Sequence, residues 1–178
     1  MRVITGKARG RKLKEPEGQN IRPTTSMVKE AIFNIVQFDI EGRRILDLFA
    51  GTGQMGIETL SRGAASCDFV DSAKPAIQLV RDNLKACELE NGQVFQSDAK
   101  SFLQRGERYD LIFLDPPYDF PHIDRIIRDI VQFDILNKNG IMVCETKREL
   151  EMPDVAEPYV KGKEYRYGKA KITLYTRT

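Results

Sequence analysis

The chain has 178 residues, 41% hydrophobic and 30% charged, with a formal net charge of +2. That length supports one domain plus a small appendage, because about 150 residues already bury roughly two-thirds of their unfolded surface. No apolar run approaches the roughly 18 residues of a membrane span and no apolar signal core opens the chain, so a cytoplasmic protein with no membrane partner is expected.

The opening stretch is basic, with Arg2, Lys7, Arg9, Arg11, Lys12 and Lys14 and no acid among them. Punctuated by Gly6 and Gly10, residues 1–13 read as a short hairpin or extended arm able to release counterions from a phosphate backbone. After Arg22-Pro23-Thr24, the apolar Val28, Ala31, Ile32, Ile35 and Val36 recur at helical spacing, with Thr25 or Ser26 as N-cap.

From residue 44 strands and helices alternate. Strands are predicted over 44–50, 66–71, 93–96, 111–114 and 141–145, with helices over 54–61, 75–87, 100–104 and 123–133 between them. Short, nearly continuous apolar strands between helices call for a parallel sheet covered on both faces, hence an α/β doubly wound fold. Residues 161–167 and 170–176 flank Gly168 as a closing hairpin at a sheet edge. Two units follow, an arm over 1–24 and an α/β domain over 25–178.

The first strand runs into Asp47-Leu48-Phe49-Ala50-Gly51-Thr52-Gly53-Gln54-Met55-Gly56, whose glycines satisfy GxGxxG. Such a loop turns tightly and presents helix N–H groups to a carboxylate or phosphate, so either a dinucleotide or S-adenosyl-L-methionine suits it. Asp71 ends the second strand where a carboxylate meets ribose hydroxyls, beside Ser72. Asp47 gives the loop the form DxxxGxG and Asp98, followed by Ala99, ends the third strand, which favours S-adenosyl-L-methionine. The candidate cofactor site comprises Asp47, Phe49, Ala50, Gly51, Thr52, Gly53, Asp71, Ser72, Asp98, Ala99 and Asp115.

Asp115-Pro116-Pro117-Tyr118 follows the apolar strand Leu111-Ile112-Phe113-Leu114. There it lies beside the glycine loop at the topological switch point, where open α/β sheets bind ligands. An exocyclic base amine is a poor nucleophile because its lone pair is delocalised into the ring. The Asp115 carboxylate and the Pro116 carbonyl can both accept hydrogen bonds from it and stabilise positive charge as the N–C bond forms. Pro117 completes a rigid turn and Tyr118 can stack on an extruded base. No covalent nucleophile or metal is required, which fits the scattered Cys67, Cys87 and Cys144 and the single His122.

Arg9-Gly10-Arg11-Lys12-Leu13, Pro16, Arg22-Pro23-Thr24, Glu30-Ala31-Ile32-Phe33-Asn34-Ile35, Leu46 to Gly53, Asp115 to Tyr118 and Tyr167-Gly168-Lys169 occur in one order. In this the chain resembles the RsmD family of bacterial 16S ribosomal RNA guanine-N2 methyltransferases over nearly its whole length. The resemblance implies a class I (Rossmann-like) methyltransferase with a mostly parallel seven-stranded sheet and an N-terminal β-hairpin that contacts RNA. It further implies S-adenosyl-L-methionine as cofactor and methylation of 16S rRNA within an assembling 30S particle by a monomer without metal. Arg22 and Thr24 would then lie near the cofactor's amino-acid end, and Arg2, Lys7, Arg9, Arg11 and Lys12 would face RNA. After Thr25 the family commonly carries an acid and a base where this chain has Ser26-Met27, and His122 inherits no role. Other acceptors of the same fold, DNA adenine or cytosine or a protein glutamine, remain alternatives. So do a non-catalytic RNA-binding assembly module and a nicotinamide dehydrogenase, the last lacking a catalytic His or Lys in frame.

Overall fold

The computed structural model describes residues 1–18 and 25–178, so the expectations for Arg22, Pro23 and Thr24 lie outside the described residues. Along the chain run α1 (Ser26–Ile35), β1 (Arg44–Asp47), α2 (Gln54–Ser61), β2 (Ser66–Asp71), α3 (Lys74–Ala86) and β3 (Gly92–Gln96). They are followed by α4 (Ala99–Leu103), β4 (Tyr109–Leu114), α5 (Ile123–Gln132), β5 (Leu136–Lys147), β6 (Tyr159–Tyr167) and β7 (Ala170–Arg177). The strands form one seven-stranded sheet in the order β3-β2-β1-β4-β5-β7-β6. β1 to β5 pair in parallel, whereas β7 runs antiparallel between β5 and β6. The doubly wound sheet expected from the alternation is therefore present, with the terminal hairpin at one edge.

Strand side chains alternate between two cores. Ile45, Phe69, Leu111, Phe113 and Val143 pack with α1, α2 and α3 on one face, while Leu46, Val70, Ile112, Leu114 and Met142 pack with α4 and α5 on the other. Both faces are covered, so these strands read as continuous apolar runs. β1 stops at Asp47 rather than running to residue 50 because the backbone changes partners there. Leu48 N–H still bonds the Phe113 carbonyl of β4, but Ala50 N–H has crossed to the Val70 carbonyl of β2. β5 begins five residues earlier than the apolar run suggests, since Tyr109 pairs with Leu136 ahead of an irregularity in the ladder.

The N-terminal residues fold back on themselves as a small hairpin with an antiparallel bridge between Arg2 and Lys12. It is docked, not free. Val3, Ala8 and Leu13 enter the α1/α2/α3 core, and at Gly6 a side chain would collide with the Ser61 carbonyl of α2, 1.8 Å from the Cβ position. Between the hairpin and the sheet every residue of α2 is buried, polar ones included.

Glu58 of α2 explains how a buried acid is tolerated. Its carboxylate accepts the N–H groups of Ile4 and Thr5, both at 2.9 Å, and pairs with Lys29 of α1 and Arg62, both at 3.1 Å. Lys29 is nearly as buried, and burial pulls its pKa below the usual lysine value despite the opposing pull of Glu58. Removing one member of such a pair leaves a charge without compensation, at about 3–5 kcal/mol. Glu58→Ala should therefore lower the unfolding free energy by about that amount in urea titrations and speed amide exchange at Ile4 and Thr5. A loss below about 1 kcal/mol, the range of an exposed pair, would contradict this account of the docking.

Candidate active site

β1 lies between β2 and β4, with Asp47 in register with both Phe69 and Phe113. Three parallel strands thus end within two residues of one another, and the loops leaving them share one rim. At that rim is a cavity of about 1270 Å³ lined by both segments singled out in the sequence. Leu48 to Thr52 form one side and Asp115 to Phe120 the other. Phe49 and Phe120 tie the two together as an edge-to-face pair with centroids 5.1 Å apart.

The glycine loop is shaped by its residues. Gly51 and Gly53 have φ of +55° and +81°, which L side chains rarely adopt, and Gly53 starts α2 without any side-chain cap. A Cβ on Gly56 would lie 2.3 Å from the Phe69 ring, so only glycine lets α2 pack this closely on β2. The helix N-terminus, with its partial positive charge, is thereby brought up to the cavity.

Carboxylates hold this loop from below and from the side. Asp47 accepts the Gly56 N–H at 3.0 Å. Burial pushes its carboxyl up to about 7, with the nearby Asp115 and Asp71 charges acting in the same sense and the Gly56 bond opposing them. Asp71 accepts the N–H groups of Gly51 at 3.0 Å and Ala73 at 2.9 Å, one on each oxygen. Each oxygen retains acceptor capacity for a ligand. Asp98 caps α4 by accepting the Ser101 N–H at 2.9 Å, and the Ser101 bonds hold its carboxyl below the usual range.

Of the sequence-predicted cofactor residues that are described, Phe49, Ala50, Gly51, Thr52, Asp71, Ser72, Asp98, Ala99 and Asp115 line the cavity. Asp47 and Gly53 are not on its wall: Asp47 supports the loop through the Gly56 N–H, and Gly53 is the N-cap of α2, facing Ile57 and Val80. Asp115, Pro116, Pro117 and Tyr118 all line it, with Pro116 buried and Pro117 exposed. The Pro117 carbonyl accepts the Phe120 N–H at 2.9 Å, which closes the turn. Arg2, Lys7, Arg9, Arg11 and Lys12 are all exposed on the docked hairpin, with Arg11 paired to Glu88 at 2.7 Å.

Sequence reasoning missed other parts of the wall. His122, Ile126 and Asp129 of the α5 region line it, and their spacing of four and three residues is a helical face that could have been read after the tetrapeptide. Met1, Glu15 and Pro16 also line it; no local pattern marks the first two, and Pro16 entered the resemblance without a role at the site. Among the described residues no group of His, Cys, Asp and Glu could hold a metal ion, and no helix is long and apolar enough to cross a membrane.

The same architecture is found in known proteins. YlbH of Bacillus subtilis (strain 168), provisionally named an rRNA methyltransferase, is 41% identical over 182 residues, covering 99% of each chain. Ribosomal RNA small subunit methyltransferase D of Escherichia coli (strain K12) is 33% identical over 178 residues, 99% of this chain and 90% of its own. The solved structure of yhhF from Escherichia coli, provisionally named a methyltransferase, is similar at a TM-score of 0.89 and 30% identity, with 99% of this chain and 97% of that one covered. The family model described as Conserved hypothetical protein 95 matches residues 1–176. With its sheet order, its glycine loop and nearly its whole length matched, the chain belongs to the Conserved hypothetical protein 95 family, that of the RsmD methyltransferases.

Proposed function

We propose that the protein transfers the methyl group of S-adenosyl-L-methionine to the exocyclic N2 amine of a guanine in 16S ribosomal RNA. It acts in the cytoplasm, as a monomer, on RNA within an assembling 30S particle. The observation that carries this reading is the shared cavity, in which Gly51, Asp71 and Asp115 line one space. The names of the relatives, both rRNA methyltransferases, support RNA as the acceptor.

The donor set fits the cofactor. An uncapped helix N-terminus favours its carboxylate, the Asp71 oxygens suit a ribose diol, and Asp98 with Ala99 suits the adenine edge. When bound, S-adenosyl-L-methionine supplies a methyl group already activated on a sulfonium. The protein's task is then to aim the amine. Asp115 and the Pro116 carbonyl accept its hydrogens, steer its lone pair and stabilise the charge that builds on nitrogen, and Asp115 takes up the proton it sheds. Tyr118 offers its ring to the face of the extruded base. The exposed cations of the hairpin supply the phosphate contacts, while Val3, Ala8 and Leu13 anchor it.

Labelled cofactor incubated with unmethylated 30S particles, 16S RNA, duplex DNA or a glutamine-containing protein substrate should yield N2-methylguanosine from the ribosomal samples alone. Asp115→Ala should cut that turnover by about a hundredfold or more, equivalent to about 3 kcal/mol of barrier, with cofactor affinity changed by no more than several-fold. Label confined to DNA or protein would defeat the RNA assignment, and unchanged turnover would remove Asp115 from the chemistry. Replacing Arg9 and Arg11 by glutamine should flatten the salt dependence of RNA binding by a slope of about 2 and leave cofactor binding alone. An unaltered slope would return the hairpin to a purely structural role.

A further inference from the structure

Asn83 of α3 is 0% exposed although its side chain is polar. Its Oδ1 accepts the Lys14 N–H at 2.7 Å, and its Nδ2 donates to the Lys14 carbonyl at 3.2 Å and to the Thr52 carbonyl at 2.9 Å. The partners fix the amide's orientation, because the reverse would set its NH2 against an N–H and its oxygen against two carbonyls. One carboxamide therefore spans the basic arm and the glycine loop. The bond to the Thr52 carbonyl is buried, so water cannot replace it, and the two to the Lys14 backbone are partly buried.

The two ends of this link differ in function. Thr52 lies on the cavity wall, and its hydroxyl also approaches the Met1 sulfur at 3.7 Å. Lys14 closes the arm that carries Arg9, Arg11 and Lys12, and its neighbour Glu15 returns to the wall. The arm is otherwise held on α2 through Glu58 and Ser61, on α1 through Lys29 at the Arg2 carbonyl, and by the exposed ion pairs Lys14–Asp82 and Arg11–Glu88, none of which reaches the glycine loop.

We infer that Asn83 is a positioning residue that transmits occupancy of the cofactor cavity to the RNA-facing arm. The inference rests on the reading of that cavity as the S-adenosyl-L-methionine site. A ligand against Gly51 and Thr52 restrains the Thr52 carbonyl, and the shared carboxamide passes that restraint to the Lys14 backbone. Opening of the arm then becomes rarer when the methyl donor is loaded. By linkage the coupling is reciprocal, so RNA on the arm also steadies the loop.

Amide hydrogen exchange of the full chain, with and without saturating S-adenosylhomocysteine, reads this directly in the wild type, Asn83→Ala and Asn83→Leu. Val3 and Leu13 are the reporters, since both amides belong to the hairpin's own ladder and not to the Asn83 contact. In the wild type the ligand should slow exchange at Gly51 and slow Val3 and Leu13 by at least about fivefold. Both variants should retain the slowing at Gly51 but hold the arm effect below about twofold. Asn83→Leu, which fills the same space and sets no charge against the two carbonyls, covers the case in which Asn83→Ala does not fold. Equal slowing of the arm in variant and wild type would overturn the inference. So would a wild-type arm indifferent to a ligand that protects Gly51. A ligand that fails to protect Gly51 at all would bring down the cofactor reading and this inference with it.

Discussion

The parallel register of β1 between β2 and β4 is the constraint on which the rest depends. It brings the carboxyl ends of three strands to within two residues of one another, at the point where the strand order reverses. Chains leaving β1 and β4 must then diverge to opposite faces of the sheet, which opens a crevice that no side chain has to be carved out to provide. The glycine loop and the proline turn face each other because of that geometry, and the Phe49–Phe120 contact keeps them at a fixed separation. Chemistry at the rim is thus a consequence of backbone pairing in the core.

A second theme is the use of buried polar groups to fix one element on another. Glu58 ties the hairpin to α2 and α1, Asn83 ties it to the glycine loop, and Asp47 ties β1 to α2. Each is costly to bury and each finds a directional partner that apolar contact could not specify. Such bonds set where the hairpin lies relative to the cavity, which the greasy contacts of Val3, Ala8 and Leu13 alone would leave less sharply defined.

Much of this was legible in the sequence because it is encoded locally. Strand runs such as Leu111 to Leu114, helical spacing in α3 and α5, the glycine pattern and the Asp-Pro-Pro-Tyr turn are each written within a few residues. What was not legible depends on contacts distant in the chain. Nothing within α2 marks Glu58 and Ser61 as interior, and it is Ile4, Thr5 and Ala8 of the hairpin that bond them. Nothing local marks Asn83 either, since its partners are 69 and 31 positions away. Asp47 was recognisable as belonging to the loop, but whether it faces the cavity or supports the loop from beneath is decided by its bond to Gly56.

The most direct test is a crystal structure of the protein with S-adenosylhomocysteine. The adenosine should be held between Asp71 and Asp98, the amino-acid portion against the glycine loop, and the sulfur turned towards Asp115. A ligand bound elsewhere, or one whose sulfur points away from Asp115, would contradict this reading of the site.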